Sequence, residues 1–390
     1  MARKDKPYRV YRGGRAKGPI RHETLKDERG ARDGRGAQEY KGPRAQRPRK
    51  PHRWRRRALW ALVGLIVLTL VWALLGFLAF RSGTKDANKR LDPRAVRALT
   101  PQKGLLLSNP SNILVLGVDV GSKSRPGAQG RSDSIVLIHT DPDHHKIALL
   151  FIPRDLRVDI PLHGAQKINA AYAFGGPTLA TKTVEHLTRL PINHVVVVDF
   201  STFDKVVDAL GGIAIDVPER IRSNKFECPR GTEAACDRWP GWRFRKGPQE
   251  MDGRRALIYS RIRENLLNPN ESDFTRGERQ QAVIEAIANK ATSFSTFIKA
   301  PFIGDDLVRP LATDLSAAQI LELGWVKKRT PSSGRLNCHL GGTIADIGGQ
   351  SFVIGSEENV SVIAMVTGKT APQPPPPGSG PFGPGCRVGK

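Results

Sequence analysis

From residue 112 to residue 217 the chain repeats one pattern: short apolar runs, rich in Val, Ile and Leu, closed by polar turns. The runs Ile113–Val118, Ser134–His139, Lys146–Ile152, Val195–Phe200 and Ile213–Val217 have the length and β-branched content of strands buried on both faces. Helical spacing lies between and after them. Lys167–Gly175 and Thr178–Thr188 read as a helix pair ending at Pro191, and Ser201–Leu210 as a helix capped by Ser201 and closed by Gly211 and Gly212. Arg276–Phe297 is the longest amphipathic pattern, Leu315–Lys328 predicts one more helix, and the Gly-spaced run Gly334–Val366 predicts a terminal hairpin. Strands mixed with helices in this way predict an α/β layered sandwich.

A different pattern precedes the fold. Residues 58–80 (ALWALVGLIVLTLVWALLGFLAF) contain no charge. As a helix they reach roughly 34 Å, enough for the ~30 Å hydrocarbon core of a bilayer. A cleaved signal peptide has a shorter apolar region and a small-residue cleavage site, which LAFRSG does not offer, so an uncleaved signal-anchor is expected. RWRRR at 53–57 precedes the span, with Trp54 and Trp60 as interfacial anchors, and only Arg81 and Lys85 follow closely. The positive-inside rule then predicts a single-pass cell-membrane protein with a cytoplasmic N-terminus and an extracytoplasmic remainder.

Charge and cysteine content sharpen this picture. The net charge is +25, and residues 1–57 hold 21 Lys+Arg against 6 Asp+Glu. That stretch has few apolar positions and is expected to be a disordered basic tail, a topology determinant with loose lipid contact. Without a recognition-helix pattern it predicts no specific nucleic-acid partner. All four cysteines, Cys228, Cys236, Cys338 and Cys386, follow the span. An even number in an oxidising compartment predicts disulfides, Cys228 with Cys236 clipping a loop and Cys338 with Cys386 tying back the chain end. The expected organisation is tail 1–57, span 58–80, linker 81–111 with a short helix in DPRAVRALT, main folded domain 112–300, C-terminal extension 301–369 packing on that domain, and Pro/Gly-rich tail 370–390.

The candidate chemistry sits at strand ends. Asp119, Arg131, Asp133, Arg154 and Asp155 bracket the first three apolar runs, so a sheet would deliver carboxylates and guanidiniums to one edge. Carboxylates beside arginines suit a divalent metal and a phosphate group. His139, His144 and His145 lie near a strand end and a turn, where solvated side chains are expected, and no Ser/His/Asp triad is readable.

Seven blocks in order resemble the LytR-CpsA-Psr family of cell-wall glycopolymer ligases: NILVLGVD (112–119), GRSDSIVLIHTDP (130–142), ALLFIPRDLRVDIP (148–161), KINAAYAFGGP (167–177), VVVVDFSTFDKVVDALGGIAIDVP (195–218), MDGRRALIYSRIR (251–263) and DFTRGERQQAVI (273–284). The resemblance implies an α-β-α sandwich with a central mixed β-sheet holding a polyprenyl pyrophosphate in an apolar tunnel. It implies transfer of a glycosyl phosphate from that carrier to a hydroxyl of peptidoglycan. Asp119 and Asp133 match the family's Mg²⁺-associated carboxylates. Arg131, Arg154, Arg261, Arg263 and Arg276 match the arginines around the pyrophosphate, and Gln280, one turn after Arg276, matches a polar contact. Arg131, Arg154 and Asp155 are the expected catalytic set, with Asp155 also suited to orienting Arg154. Spaced i, i+2, Arg261 and Arg263 would share one side of a strand. The chain departs from the family after Asp119, where VGSKSR displaces Arg125 from the usual tight position. Two alternatives stay open: a pyrophosphatase or phosphodiesterase using water as acceptor, and a non-enzymatic membrane-bound transcriptional attenuator.

Overall fold

The computed structural model describes residues 53–119, 130–230, 232–269, 271, 273–377 and 383–389. The predicted basic tail and the displaced Arg125 therefore fall outside the described residues, apart from 53–57, which begin the first helix. Helix α1 (Arg53–Arg90) continues ten residues past the apolar segment into the expected linker. It is the one helix among the described residues long and apolar enough to cross a membrane. The short helix α2 (Pro93–Ala98) forms where predicted, capped by the Asp92 carboxylate accepting from the Arg94 N–H.

Strands β1 (Ser111–Val118), β2 (Ser132–Asp141) and β3 (Lys146–Phe151) follow, then the hairpin β4 (Arg157–Ile160) and β5 (Gly164–Lys167). Helix α3 (Ala170–Thr188) merges the predicted pair across a kink at Gly175 and Gly176, just before Pro177. It starts three residues later than its sequence pattern indicated, because Lys167 belongs to β5. Strand β6 (His194–Asp199) leads into α4 (Phe200–Ala209). The cap of α4 is Asp199, not Ser201: its carboxylate accepts the Ser201 N–H at 2.9 Å.

Strand β7 (Ile213–Val217) is buried on one face only and leaves the main sheet to pair with β10 (Gly247–Met251). Between them lies an excursion of β8 (Ile221–Arg222), α5 (Glu233–Asp237) and β9 (Arg243–Phe244), clipped by the Cys228–Cys236 disulfide. After β10 (Gly247–Met251) come α6 (Gly253–Arg261) and α7 (Asp273–Ala291). The predicted single helix to Phe297 breaks at Thr292 and Ser293, where Ser293 accepts from the Thr296 N–H to cap α8 (Phe294–Val308).

The remainder departs most from expectation. Strand β11 (Ala312–Thr313), α9 (Ala317–Arg329) and β12 (Arg335–His339) precede the hairpin β13 (Gly342–Ile347) and β14 (Gln350–Gly355), then α10 (Glu358–Val366). Part of the expected Pro/Gly tail is the edge strand β15 (Gly385–Val388), held by pairing to β12 and by the Cys338–Cys386 disulfide.

The central sheet runs β11-β6-β1-β2-β3-β12-β15. It is mixed: β1 is parallel to β6 and β12 to β3, while β1–β2 and β2–β3 are antiparallel. Alternation sorts its side chains into two layers. Leu114, Leu116, Ile135, Leu137, Leu150 and Val195 pack with Ala180 and Val184 of α3 in the main core. Their neighbours Ile113, Val115, Ile138, Leu149 and Val196 face α7 and α9 across a cavity. Helices thus cover both faces, as the α-β-α expectation required. His139 is buried rather than solvated: its Nδ1 lies 2.7 Å from Asn112 Oδ1, and burial lowers its pKa. His144 is exposed and pairs with Asp141 at 2.7 Å.

Candidate active site

The site forms where β1 ends and β2 begins. Asp119 follows the last residue of β1, and its N–H donates to the Arg131 carbonyl at 3.4 Å. Asp133 is the second residue of β2, and Arg154 and Asp155 lie in the turn after β3. Arg154 Nη1 donates to Asp133 Oδ1 at 2.8 Å, and its Nε donates to Asp155 Oδ2 at 3.3 Å. Lys167 Nζ occupies the other Asp155 oxygen at 2.9 Å. With both oxygens engaged, Asp155 orients Arg154 and is a positioning residue.

Helices deliver the remaining arginines. Arg261 is the last residue of α6, which sits tightly on α4: a Cβ on Gly253 would lie 2.2 Å from the Asp204 carbonyl oxygen. Arg261 and Arg263 therefore leave a helix end rather than one face of a strand, yet both border the pocket. Arg261 Nη2 is 3.7 Å from Asp119 Oδ2, and Arg263 Nη2 is 3.7 Å from Asp133 Oδ2. Arg276 and Gln280 are one turn apart on α7. Gln280 accepts from Ser134 Oγ at 2.7 Å, and Arg276 is only 2% exposed. Here too a close approach is needed: a Cβ on Gly277 would lie 2.6 Å from the Phe151 ring.

Together Asp133, Arg261, Arg263, Arg276 and Gln280 border a pocket of about 270 Å³. Arg131 is exposed and does not line it, because the chain there has not yet entered β2; its contribution is the carbonyl that holds Asp119. Four further lining residues were not anticipated: Phe200, Asn224, Phe226 and Glu227. The last three come from the disulfide-clipped excursion, and no hydrophobic period marks them. Glu227 pairs with Arg261, whose guanidinium also lies 4.9 Å from the Phe200 ring centre.

Burial alone would raise the Asp133 pKa, but Arg154, Arg263 and Arg276 outweigh it and hold the carboxyl below its usual range. Burial lowers the Arg261 pKa, with Asp119 and Asp133 opposing that effect. The pocket places guanidiniums, the groups that bind phosphate oxygens in pairs, beside carboxylates. No group of three or more His, Cys, Asp or Glu suited to a metal occurs among the described residues. Asp119 and Asp133 still fit Mg²⁺, which takes one or two carboxylates and fills its shell with water and substrate phosphate.

The fold is an α/β sandwich with an arginine-walled pocket at its strand ends, preceded by a long apolar helix that is a candidate membrane anchor. The chain belongs to the LytR-CpsA-Psr family, whose model matches residues 77–364. A relative in Enterococcus faecalis, the polyisoprenyl-teichoic acid–peptidoglycan teichoic acid transferase TagU, is 33% identical over 67% of this chain and 80% of its own length. TagU of Oceanobacillus iheyensis is 35% identical over 54% of this chain and 61% of its own length, so the chain spans less than two thirds of that relative. The crystal structure of Bacillus subtilis TagV superposes with a TM-score of 0.56 at 26% identity, covering 67% of this chain and 97% of TagV. These relatives are transferases by name, and the mixed-sheet fold is shared.

Proposed function

We propose that this protein moves a glycopolymer, as a glycosyl phosphate, from a polyprenyl-pyrophosphate carrier to a hydroxyl of peptidoglycan. One helix supports this reading. On α7, Arg276, Gln280, Ile284 and Ala288 follow at i, i+4 spacing along one face. The first two border the anion pocket, and the last two border an apolar cavity of about 200 Å³ under the sheet. Arg276 to Ala288 covers roughly 18 Å of helix. A diphosphate with an apolar tail matches that run of chemistry, whereas a soluble nucleotide or sugar phosphate leaves the cavity without a purpose.

The arginines act by charge. Arg154, held by Asp155, and Arg261, Arg263 and Arg276 bind the diphosphate oxygens and offset the charge that develops as polyprenyl phosphate leaves. The acceptor hydroxyl attacks the sugar-bearing phosphorus; the new P–O bond replaces the bond to polyprenyl phosphate. Gln280, fixed by Ser134, orients one phosphate edge. Asp119 and Asp133 would hold Mg²⁺, which would supply a further positive charge to offset the negative charge of the diphosphate. The acceptor must reach the site from the wall, which requires the domain outside the cell, α1 spanning the membrane and residues 1–57 in the cytoplasm. Both disulfides agree with an oxidising compartment.

The test uses the full chain in nanodiscs with Mg²⁺, a lipid-diphosphate-linked sugar and peptidoglycan oligomers, with products read by mass spectrometry. A sugar-phosphate–peptidoglycan adduct, lost in Arg154→Ala, is the expected result. Free sugar phosphate without adduct would overturn the transfer reading in favour of hydrolysis.

A further inference from the structure

Helix α8 carries an apolar face that the fold leaves uncovered. Phe294, Ile298 and Phe302 stand at i, i+4, i+8, with Phe297 beside them, and Phe294 and Phe302 are 76% and 74% exposed. Thr296, Gly304 and Val308 of the same helix are buried, Gly304 against α1. Lys299, the one cation of this helix, has its ammonium beside the turn at Gly211.

What lies next to this face identifies its occupant. Helix α8 packs along α1, and the contacts climb both helices in the same direction. A Cβ on Gly76 would lie 3.1 Å from Ala300 Cβ, one on Gly304 3.0 Å from the Phe80 nitrogen, and one on Gly83 2.5 Å from the Asp305 oxygen. The rings of Trp72 and Phe302 meet edge to face at 5.7 Å. Gly76 and Phe80 belong to the uncharged segment 58–80. Phe294 is six residues before Ala300, hence roughly 9 Å further toward the middle of that segment along a parallel helix. Any bilayer crossed by α1 would therefore surround the N-terminal half of α8.

We propose that α8 is a second membrane element, inserted alongside α1, with Phe294, Phe297, Ile298 and Phe302 in the acyl-chain region. The inference rests on α1 spanning the bilayer. By this parallel register Phe302 lies near the end of the uncharged segment and Phe294 level with about residue 70, near its middle. Insertion also gives the carrier a route: α7 ends at Ala291, three residues before Phe294, so the cavity end at Ala288 lies close in sequence to the inserted helix. The prenyl tail would pass from bilayer to cavity along α7 without crossing water.

The test uses the full chain, disulfides intact, reconstituted in phosphatidylcholine–phosphatidylglycerol vesicles. Single cysteines replace Phe294, Phe302, Leu70 (mid-span reference) and Lys246 (exposed polar reference), and each carries an environment-sensitive fluorophore. Lipids with doxyl groups on the acyl chain serve as quenchers. Labels at Phe294→Cys and Phe302→Cys are expected to emit blue-shifted light and to be quenched at least roughly two-fold more than at Lys246→Cys. If Leu70→Cys is quenched while the α8 labels behave like Lys246→Cys, the α8 proposal is overturned and the span stands. If Leu70→Cys is not quenched, the span itself fails, and the proposal fails with it. The substituted positions are exposed, so the fold is not at stake, and circular dichroism of each variant checks this.

Discussion

Asp133→Asn separates the electrostatic account of the site from a merely steric one. In the wild type the Asp133 carboxylate touches Arg154 at 2.8 Å and Arg263 at 3.7 Å, with side chains 17% (Arg154) and 22% (Asp133) exposed in the closer pair. At an effective dielectric of ~20, unit charges about 4 Å apart attract by about 4 kcal/mol before desolvation. Breaking a fully buried pair costs about 3–5 kcal/mol, and an exposed one about 0–1. This pair lies between those limits, so a loss of about 2 kcal/mol on urea unfolding is expected, from guanidiniums left without their counter-charge. A double-mutant cycle with Arg154→Gln should return a coupling of about 1–2 kcal/mol.

The same substitution makes the pocket more cationic. Without divalent ions, Asp133→Asn should bind inorganic pyrophosphate more tightly than wild type, by up to about tenfold in titration calorimetry, and Mg²⁺ should no longer add to the affinity. The pH dependence has a defined sign. The folded carboxyl titrates below its unfolded value of about 3.9, so its stabilisation is complete above that value and fades as pH falls through the folded one. Wild type and variant should therefore converge near the acid limit. A variant of wild-type stability, with no coupling to Arg154 and weaker pyrophosphate binding, would refute the reasoning.

Other outcomes follow from single contacts. Cys386→Ser opens a bridge of sequence separation 48 and should lower stability by up to about 4 kcal/mol, with β15 becoming protease-sensitive; an unchanged urea midpoint would count against it. Burial, aided by Arg387, pushes the His339 imidazole down to about 4. The unfolded chain then takes up the proton first, so stability should fall by about 1–3 kcal/mol as pH drops from about 6.5 to 4, and His339→Gln should flatten that slope. Glu227→Gln removes the carboxylate that engages Arg261 and should raise pyrophosphate affinity several-fold; reduced affinity would make Glu227 part of the binding set instead.

Much of the site was readable because strand ends leave a mark in sequence. Asp119 and Asp133 adjoin apolar runs, so locating β1 and β2 located both carboxylates. Arg276 and Gln280 came from the family resemblance, and helical spacing added only that they share one face. Arg131 shows the limit: its neighbour Ser132 is buried in β2, but one step earlier the side chain is in water, and no local pattern distinguishes the two. Glu227 was illegible for another reason. It enters the pocket through a left-handed backbone at φ 47° beside a disulfide, so its place is set by a cross-link and not by periodicity. The helix breaks misled in a third way, since Thr292 and Ser293 interrupt an amphipathic pattern that α8 resumes.

One side chain joins the pocket helix to the expected C-terminal extension. Gln281 is buried on α7, next to Gln280, and its Nε2 donates to the Leu149 carbonyl of β3 at 3.0 Å and to the Cys338 carbonyl of β12 at 2.9 Å. The helix that presents Arg276 and Gln280 to the pocket is thus fastened across two adjacent strands, one from the first half of the domain and one from the supposed extension. Strand β12 is in turn bonded to β15 along its ladder and through Cys338–Cys386. Leaving that amide buried without acceptors would cost about 1–3 kcal/mol and free the helix to shift. An arginine moved by even 1 Å loses its bidentate geometry on phosphate. Strand β12, within the expected extension, therefore helps fix the helix that borders the pocket.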